Sequence, residues 1–263
     1  MTAFKCYTCS ATLAGLCLVA ANGAYAQVST INSAIVNPRV WNDEPGATLN
    51  TLALYPAVIA FDESHVSGAT GFANRDTWQF SNNGGTSAYQ FQNGDYFNAA
   101  MTLQLSGSPT SPRKEAGFLF STANAGDIQF IVNTDGHEVV QFGGISFYSF
   151  NAAPFAMTYN SGNLIALGLN YFMDTATGNN ALQFFANGNA SPVFDFASGA
   201  GIGNGSTLGG YFQIVNDPGN PANSGTAVFQ NLSIIPAPVP EPSTLFLLSA
   251  GILPLLLRRR RRI

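Results

Sequence analysis

Charge is scarce in this chain of 263 residues. Asp, Glu, Lys and Arg make up 9% of it, against about 25% in an average soluble domain. No basic stripe is present for a nucleic-acid backbone to follow. The Glu- and Lys-rich composition of coiled coils and long helices is missing, and with 12% aromatic residues the chain is not an acidic disordered one. Cysteine is confined to Cys6, Cys9 and Cys17, all within the first twenty residues. Histidine occurs at His65 and His137 alone, so a three-histidine zinc site is impossible, and neither an H-E-x-x-H run nor a G-x-S-x-G elbow occurs.

The charge that is present is unevenly placed. Lys5, Arg39, Arg75, Arg113 and Lys114 are followed by an unbroken run of Arg258, Arg259, Arg260, Arg261 and Arg262. Between Gln27 and Pro236 there are 4 basic and 13 acidic residues, a net charge of −9 against −4 for the whole chain. The whole-chain value averages over segments with different tasks.

The N-terminus has Lys5, a short apolar stretch from Ala11 to Ala21, and Ala24-Tyr25-Ala26 before Gln27. A charged start, a short apolar centre and an A-x-A site mark residues 1–26 as a signal peptide cleaved after Ala26, with Ala24 and Ala26 as the small residues of the site. Export through the general secretory route follows. Leu16 before Cys17 does not suit lipid modification, and cleavage would remove all three cysteines, leaving a mature domain without thiols or disulfides. At the other end, residues 237–263 hold three consecutive parts. Val239-Pro240-Glu241-Pro242 is extended, because each proline fixes its own φ and restricts the residue before it. Leu245 to Leu257 is an apolar run of 13 residues broken by Pro254, short of the roughly 20 that a stable spanning helix needs. The five arginines then hold the tail end in the cytoplasm and the domain outside.

Pro240-Glu241-Pro242, the short apolar helix and the arginine cluster together resemble a PEP-CTERM sorting signal. The resemblance implies an exosortase-type membrane protease that recognises Pro240, Glu241 and Pro242. It also implies a transient inner-membrane tether and a final location at the cell surface or outside it. The host would be a Gram-negative bacterium that makes exopolysaccharide.

Residues 27–236 read as one all-β domain. Short runs of β-branched and aromatic residues are separated by Asn-Gly, Asp-Gly and Gly-Gly turns. Tyr96 to Leu105 and Leu164 to Tyr171 alternate apolar and polar, the mark of half-buried strands. Asp127 to Phe142 reads as a hairpin around Asp135-Gly136, and Leu182 to Phe196 as another around Asn187-Gly188. Further candidates are Leu49 to Phe61, Thr77 to Phe80, Ala116 to Ser121, Tyr211 to Val215 and Ala227 to Ile235. About ten to fourteen such strands without helices predict a single antiparallel β-sandwich of jelly-roll type. Gly117-Phe118-Leu119-Phe120, the Asp-Gly hairpin and the closing Ala227 to Leu232 also resemble concanavalin-A-like and laminin-G-like jelly rolls.

The search for chemistry returns little. Jelly-roll glycosidases commonly place two acids at alternate positions of one strand, flanking the scissile bond; here no acids lie at i and i+2. Asp43-Glu44 and Asp62-Glu63 are adjacent pairs, expected to be solvated. Calcium through Asp127, Asn133 or Asp135 is conceivable by ligand type but lacks a loop with enough oxygens. Trp41 and Trp78 could stack on sugar rings, although core packing is the expectation for each. No catalytic, metal or cofactor residue is assigned, and no cofactor is expected. The expectation is an exported, exosortase-processed, non-enzymatic surface or matrix protein that associates with extracellular polysaccharide. A carbohydrate-binding, lectin-like module is the alternative, and a jelly-roll glycosidase the more remote one.

Overall fold

The computed structural model describes residues 28, 30–197 and 200–237. The signal-peptide residues Ala24 and Ala26, the motif Pro240, Glu241 and Pro242, and the arginines Arg258 to Arg262 lie outside the described residues. Within them the chain is all-β, with no α-helix. No helix among them is long and apolar enough to cross a membrane.

Fifteen strands form two antiparallel sheets. The first contains β1 (Ser33–Asn42), β4 (Ala73–Ser81), β14 (Thr207–Val215), β6 (Lys114–Thr122), β7 (Gly126–Asn133), β8 (Val139–Phe142) and β9 (Tyr148–Ser149), in that spatial order. The second runs β12 (Asn189–Ala190), β11 (Asn180–Ala186), β10 (Leu164–Met173), β5 (Phe97–Ser108), β15 (Ser224–Pro236), β3 (Val58–Ser64) and β2 (Thr48–Leu54), with β13 (Phe194–Asp195) pairing β11. The sandwich expected from the sequence is thus the one observed.

Alternation sets which face turns inward, because successive strand side chains point to opposite sides. In β5, Phe97, Ala99, Met101, Leu103 and Leu105 are buried, and Ile165, Leu167, Leu169 and Tyr171 of β10 lie opposite them on the same face. Aromatic rings join the two sheets. Trp78 meets Phe229 edge-on at 5.7 Å, Phe120 meets Phe97 at 5.7 Å, and Phe130 meets Phe184 at 5.2 Å. Each ring removes a large apolar area from water.

Turns differ in how closely they follow the sequence signals. Asn187 and Gly188 both take positive φ, 47° and 81°, and form the two-residue turn that joins β11 to β12. Between β7 and β8 the loop is longer, and the left-handed residue is His137 rather than Gly136. The Asn133 side-chain oxygen closes that loop by accepting the N–H groups of Gly136 and Glu138. Leu49 to Phe61 is two strands, because Tyr55-Pro56-Ala57 turns the chain between β2 and β3. The β1 strand has no clear alternation, since it carries a register shift between Asn37 and Trp41.

Trp78 has no exposed surface and bridges the sheets. Trp78→Ala is expected to lower the unfolding free energy by about 3–5 kcal/mol, read as a reduced midpoint in urea at unchanged slope.

Candidate functional site

The outward face of the seven-stranded sheet is polar where β1, β4, β14, β6 and β7 lie side by side. Strand register places Trp41, Arg75, Gln213, Glu115 and Asn133 in one row across these five strands. They are neighbours because cross-strand partners on one face stand about 5 Å apart. The four Lys and Arg residues between positions 28 and 237, namely Arg39, Arg75, Arg113 and Lys114, all stand at this end of the sandwich.

Arg75 links the aromatic and polar members of the row. Its Nε donates to Gln213 Oε1 at 2.9 Å, and its guanidinium carbon lies 5.1 Å from the Tyr211 ring centre and 5.8 Å from that of Trp41. Both distances fall within cation–π range. The two terminal amino groups of Arg75 have no hydrogen-bond partner among the described residues and remain available to an acceptor. Glu115 takes hydrogen bonds from the Tyr211 hydroxyl and from Gln213 Nε2, both at 3.2 Å. Burial pushes the Glu115 carboxyl above its ordinary range, opposed by Arg113 and by the Tyr211 bond. Tyr211 is fully buried and held as the neutral phenol, first by desolvation and then by Glu115. Beside it Ile131 and Val140 form a small apolar cluster with Leu119 and Phe142. Gly117 completes this face, since a Cβ there would collide with the β7 backbone at Phe130 and Ile131.

Next to Arg75 the surface becomes aromatic. Trp41 and Phe72 stack with ring centres 5.5 Å apart and an interplanar angle of 27°. They are 38% and 55% exposed. Asp43 pins both: its Oδ1 accepts from Trp41 Nε1 at 2.9 Å and its Oδ2 from the Phe72 backbone N–H at 3.3 Å. Exposed rings stacked beside a guanidinium can present an outer face to the C–H surface of a sugar while the cation meets its oxygens. At the far side of the row Arg113 pairs with Asp135 and Glu138, each at 3.0 Å, and approaches Glu115 at 3.9 Å. Arg113 is partly exposed, so each of these pairs contributes about 0–1 kcal/mol.

The structure divides the residues singled out from the sequence. Trp78 is core, whereas Trp41, expected to be core as well, is exposed at the site. His65 and His137 are exposed. Glu44 and Glu63, expected to be solvated, are buried. In β3, strand alternation turns Glu63 inward once Asp62 faces water, whereas Asp43 and Glu44 lie past the end of β1, where Glu44 is held by the side chain of Asn74. Asp127 stands opposite Ser121 at one end of β7, while Asn133 is at the other end and Asp135 beyond it is occupied by Arg113, so these three do not gather. Among the described residues no three His, Cys, Asp or Glu side chains are placed to hold a metal ion. Arg75, Phe72, Gln213 and Glu115 were missed. Arg75 had a signal, since it is one of four cations in the domain and alternates with Thr77 and Gln79 away from Trp78 and Phe80.

A second concavity, a cleft of about 490 Å³, opens at the other end of the strands, lined by Asn124, Ile145, Phe194, Asp195 and Phe196 among others. None of its described lining residues is Lys or Arg.

No protein-family model matches this sequence, and no curated protein does. Among solved structures, the chain is similar to an alginate lyase of polysaccharide lyase family 7, with 11% identity, TM-score 0.48, and 78% of this chain and 95% of that one covered. An alginate lyase from Klebsiella pneumoniae gives 14% identity and TM-score 0.48 at the same coverages. A carbohydrate-binding module from Bacillus subtilis gives 10% and 0.40, covering 72% and 94%. At these identities the shared property is the sandwich.

Alginate lyases among the matches overturn the expectation of a non-enzymatic protein. That expectation rested on the missing carboxylate pair, which is a requirement of hydrolysis. A lyase breaks its glycosidic bond by elimination, so a chain without paired acids is not thereby without activity.

Two carboxyls inside this end of the sandwich tie stability to pH. Burial pushes Glu63 from 4.5 up to about 7 and Asp76 from 3.8 up to about 6, against opposing contributions from Asn74 and Arg39. Between the ordinary and raised values the folded state holds protons that the unfolded chain releases, so stability falls as pH rises through that window. The melting temperature is expected to be higher near pH 5 than near pH 8, and Glu63→Gln should flatten the dependence.

Proposed function

We propose that this chain is an exported polysaccharide-active domain that holds a glycan strand across the outward face of its seven-stranded sheet. The observation that carries this reading is the Trp41–Phe72 stack beside Arg75, whose terminal amino groups have no hydrogen-bond partner among the described residues. The rings supply flat apolar surface, and the terminal amino groups of Arg75 supply donors for sugar hydroxyls or a uronate carboxylate. The low charge of the domain allows approach to neutral polymers, and Arg75 offers its guanidinium to acidic ones, whereas Arg113 is already paired with Asp135 and Glu138. The tail resembling a PEP-CTERM signal fits delivery to the same compartment: exosortase cleavage near Pro242 would leave the domain at the cell surface or free in the matrix.

Affinity electrophoresis in gels containing alginate, dextran or hydroxyethylcellulose tests the site. Retardation by at least one polymer is expected, with Trp41→Ala and Arg75→Ala each reducing it about tenfold or more. A wild-type domain that migrates unretarded in all three would refute the reading. The same incubations, followed at the ultraviolet band of unsaturated uronate, show whether alginate is also cleaved. For the tail, the intact mass of the exported protein is expected to lack Arg258 to Arg262; their retention would refute the processing.

A further inference from the structure

Trp41 stands on an edge strand, exposed, with the register shift of β1 immediately before it. Something must fix where its ring lies. The chain on both sides of Trp41 leads to one buried side chain. On the N-terminal side Arg39, at φ 54°, donates its backbone N–H to Asp76 Oδ1 at 2.8 Å, and its Nη2 lies 3.3 Å from Glu63 Oε1. On the C-terminal side the Glu44 N–H donates to Asn74 Oδ1 at 3.0 Å, and Asn74 Nδ2 donates to the Glu44 carbonyl at 3.1 Å and to the same Glu63 Oε1 at 2.6 Å. Between these two anchors sit Trp41 and Asp43, and Asp43 pins Trp41 and Phe72.

Glu63 and Asp76 have no exposed surface, and Glu63 Oε2 and Asp76 Oδ2 lack a hydrogen-bond partner among the described residues. Burying a carboxylate is costly unless it is paired. An incompletely satisfied pair at this position is therefore unfavourable for stability taken alone, which makes a positioning role the informative reading.

We propose that Glu63 is the positioning residue of the aromatic stack, gripping the 39–44 segment at both ends through Arg39 and Asn74 and so setting the orientation of a ring that it does not touch. The proposal rests on the glycan-binding reading for its consequence in affinity, but not for the geometry. Protonation releases the grip. The charged groups facing Glu63 are Arg39 from β1 and Asp76 from β4, while the Glu44 carboxylate turns away toward Gly46 and Gly68 and the β2 and β15 neighbours are Leu49 and Gly225. With Glu63 raised to about 7 and Asp76 to about 6, Arg39 loses both counter-charges below about pH 6. The fold as a whole gains stability over that range while this contact weakens.

The two tryptophans make a direct test, because Trp78 is buried and Trp41 is exposed. Acrylamide quenching of the full-length mature protein, without glycan, reports the Trp41 environment. In Glu63→Gln and Arg39→Met the accessible component is expected to change by about twofold with Trp78 still protected, and retardation by whichever polymer binds wild type to fall about tenfold. Glu63→Asp, which keeps the charge, should restore part of both. Folded variants with unchanged quenching and unchanged retardation would overturn the proposal. If the variants do not fold, wild type decides: quenching that changes below about pH 6 with Trp78 protected supports the grip, and a flat profile overturns it. A wild type that binds no polymer but shows these quenching changes refutes the glycan reading and leaves the positioning of Trp41 standing.

Discussion

The arrangement depends on strand alternation acting on a chain that has very few charges to place. Each strand sends every second residue inward, and the inward positions are filled by rings that reach from one sheet to the other, Trp78 to Phe229, Phe120 to Phe97 and Phe130 to Phe184. Once Trp78 and Phe80 are committed to the interior, Arg75, Thr77 and Gln79 face out from the same strand. The same rule on β14 and β6 turns Gln213 and Glu115 to that side. Register then converts separate outward positions into a row, since Arg75 faces Gln213 and Gln213 faces Glu115. The site is thus a by-product of filling the core with aromatics and of keeping the strands in register.

Charge burial distinguishes this end of the sandwich from the rest. Most of the interior is apolar, yet Glu63, Asp76 and Lys114 have no exposed surface. Lys114 is accommodated by the carbonyls of Pro109 and Pro112, at 2.7 and 2.9 Å, and by burial its amine falls to about 8. That contact fastens a rim loop. Glu63 and Asp76 are less completely satisfied, and both act on the short stretch of β1 that carries Trp41. Removing one partner of a buried ion pair strands the other charge, so the positions that hold the aromatic stack in place are also ones where the fold tolerates little change.

Much of the fold was legible in the sequence because its signals are local. The alternation of β5 and β10 and the Asn187-Gly188 turn are each contained in a few consecutive residues, and the structure keeps them. The β1 strand was not legible, because its register shift interrupts the period at Pro38 to Val40 and its first half pairs with β4 over a separation of more than forty residues. The β2–β3 pair read as one strand because Tyr55-Pro56-Ala57 lacks a glycine or asparagine. Of the site, Trp41 was visible as a residue but not as an exposed one; exposure depends on which face β4 turns inward, and that is decided by Trp78 thirty-seven residues later.

A motif search and a sheet face look for different things. Catalytic and binding motifs are recognisable when their residues share one strand, loop or helix turn. In the row Trp41, Arg75, Gln213, Glu115 and Asn133, each residue comes from a different strand, and the residues are brought together by hydrogen-bond registers that no local spacing encodes. The lack of paired acids therefore described one strand at a time and was silent about the sheet. The scarcity of cations was the better guide: four in the domain, all at one end, with Arg75 set on a polar face beside two exposed rings. A guanidinium held there by cation–π contact and one hydrogen bond, with its outer nitrogens free of hydrogen bonds among the described residues, is arranged for a further acceptor.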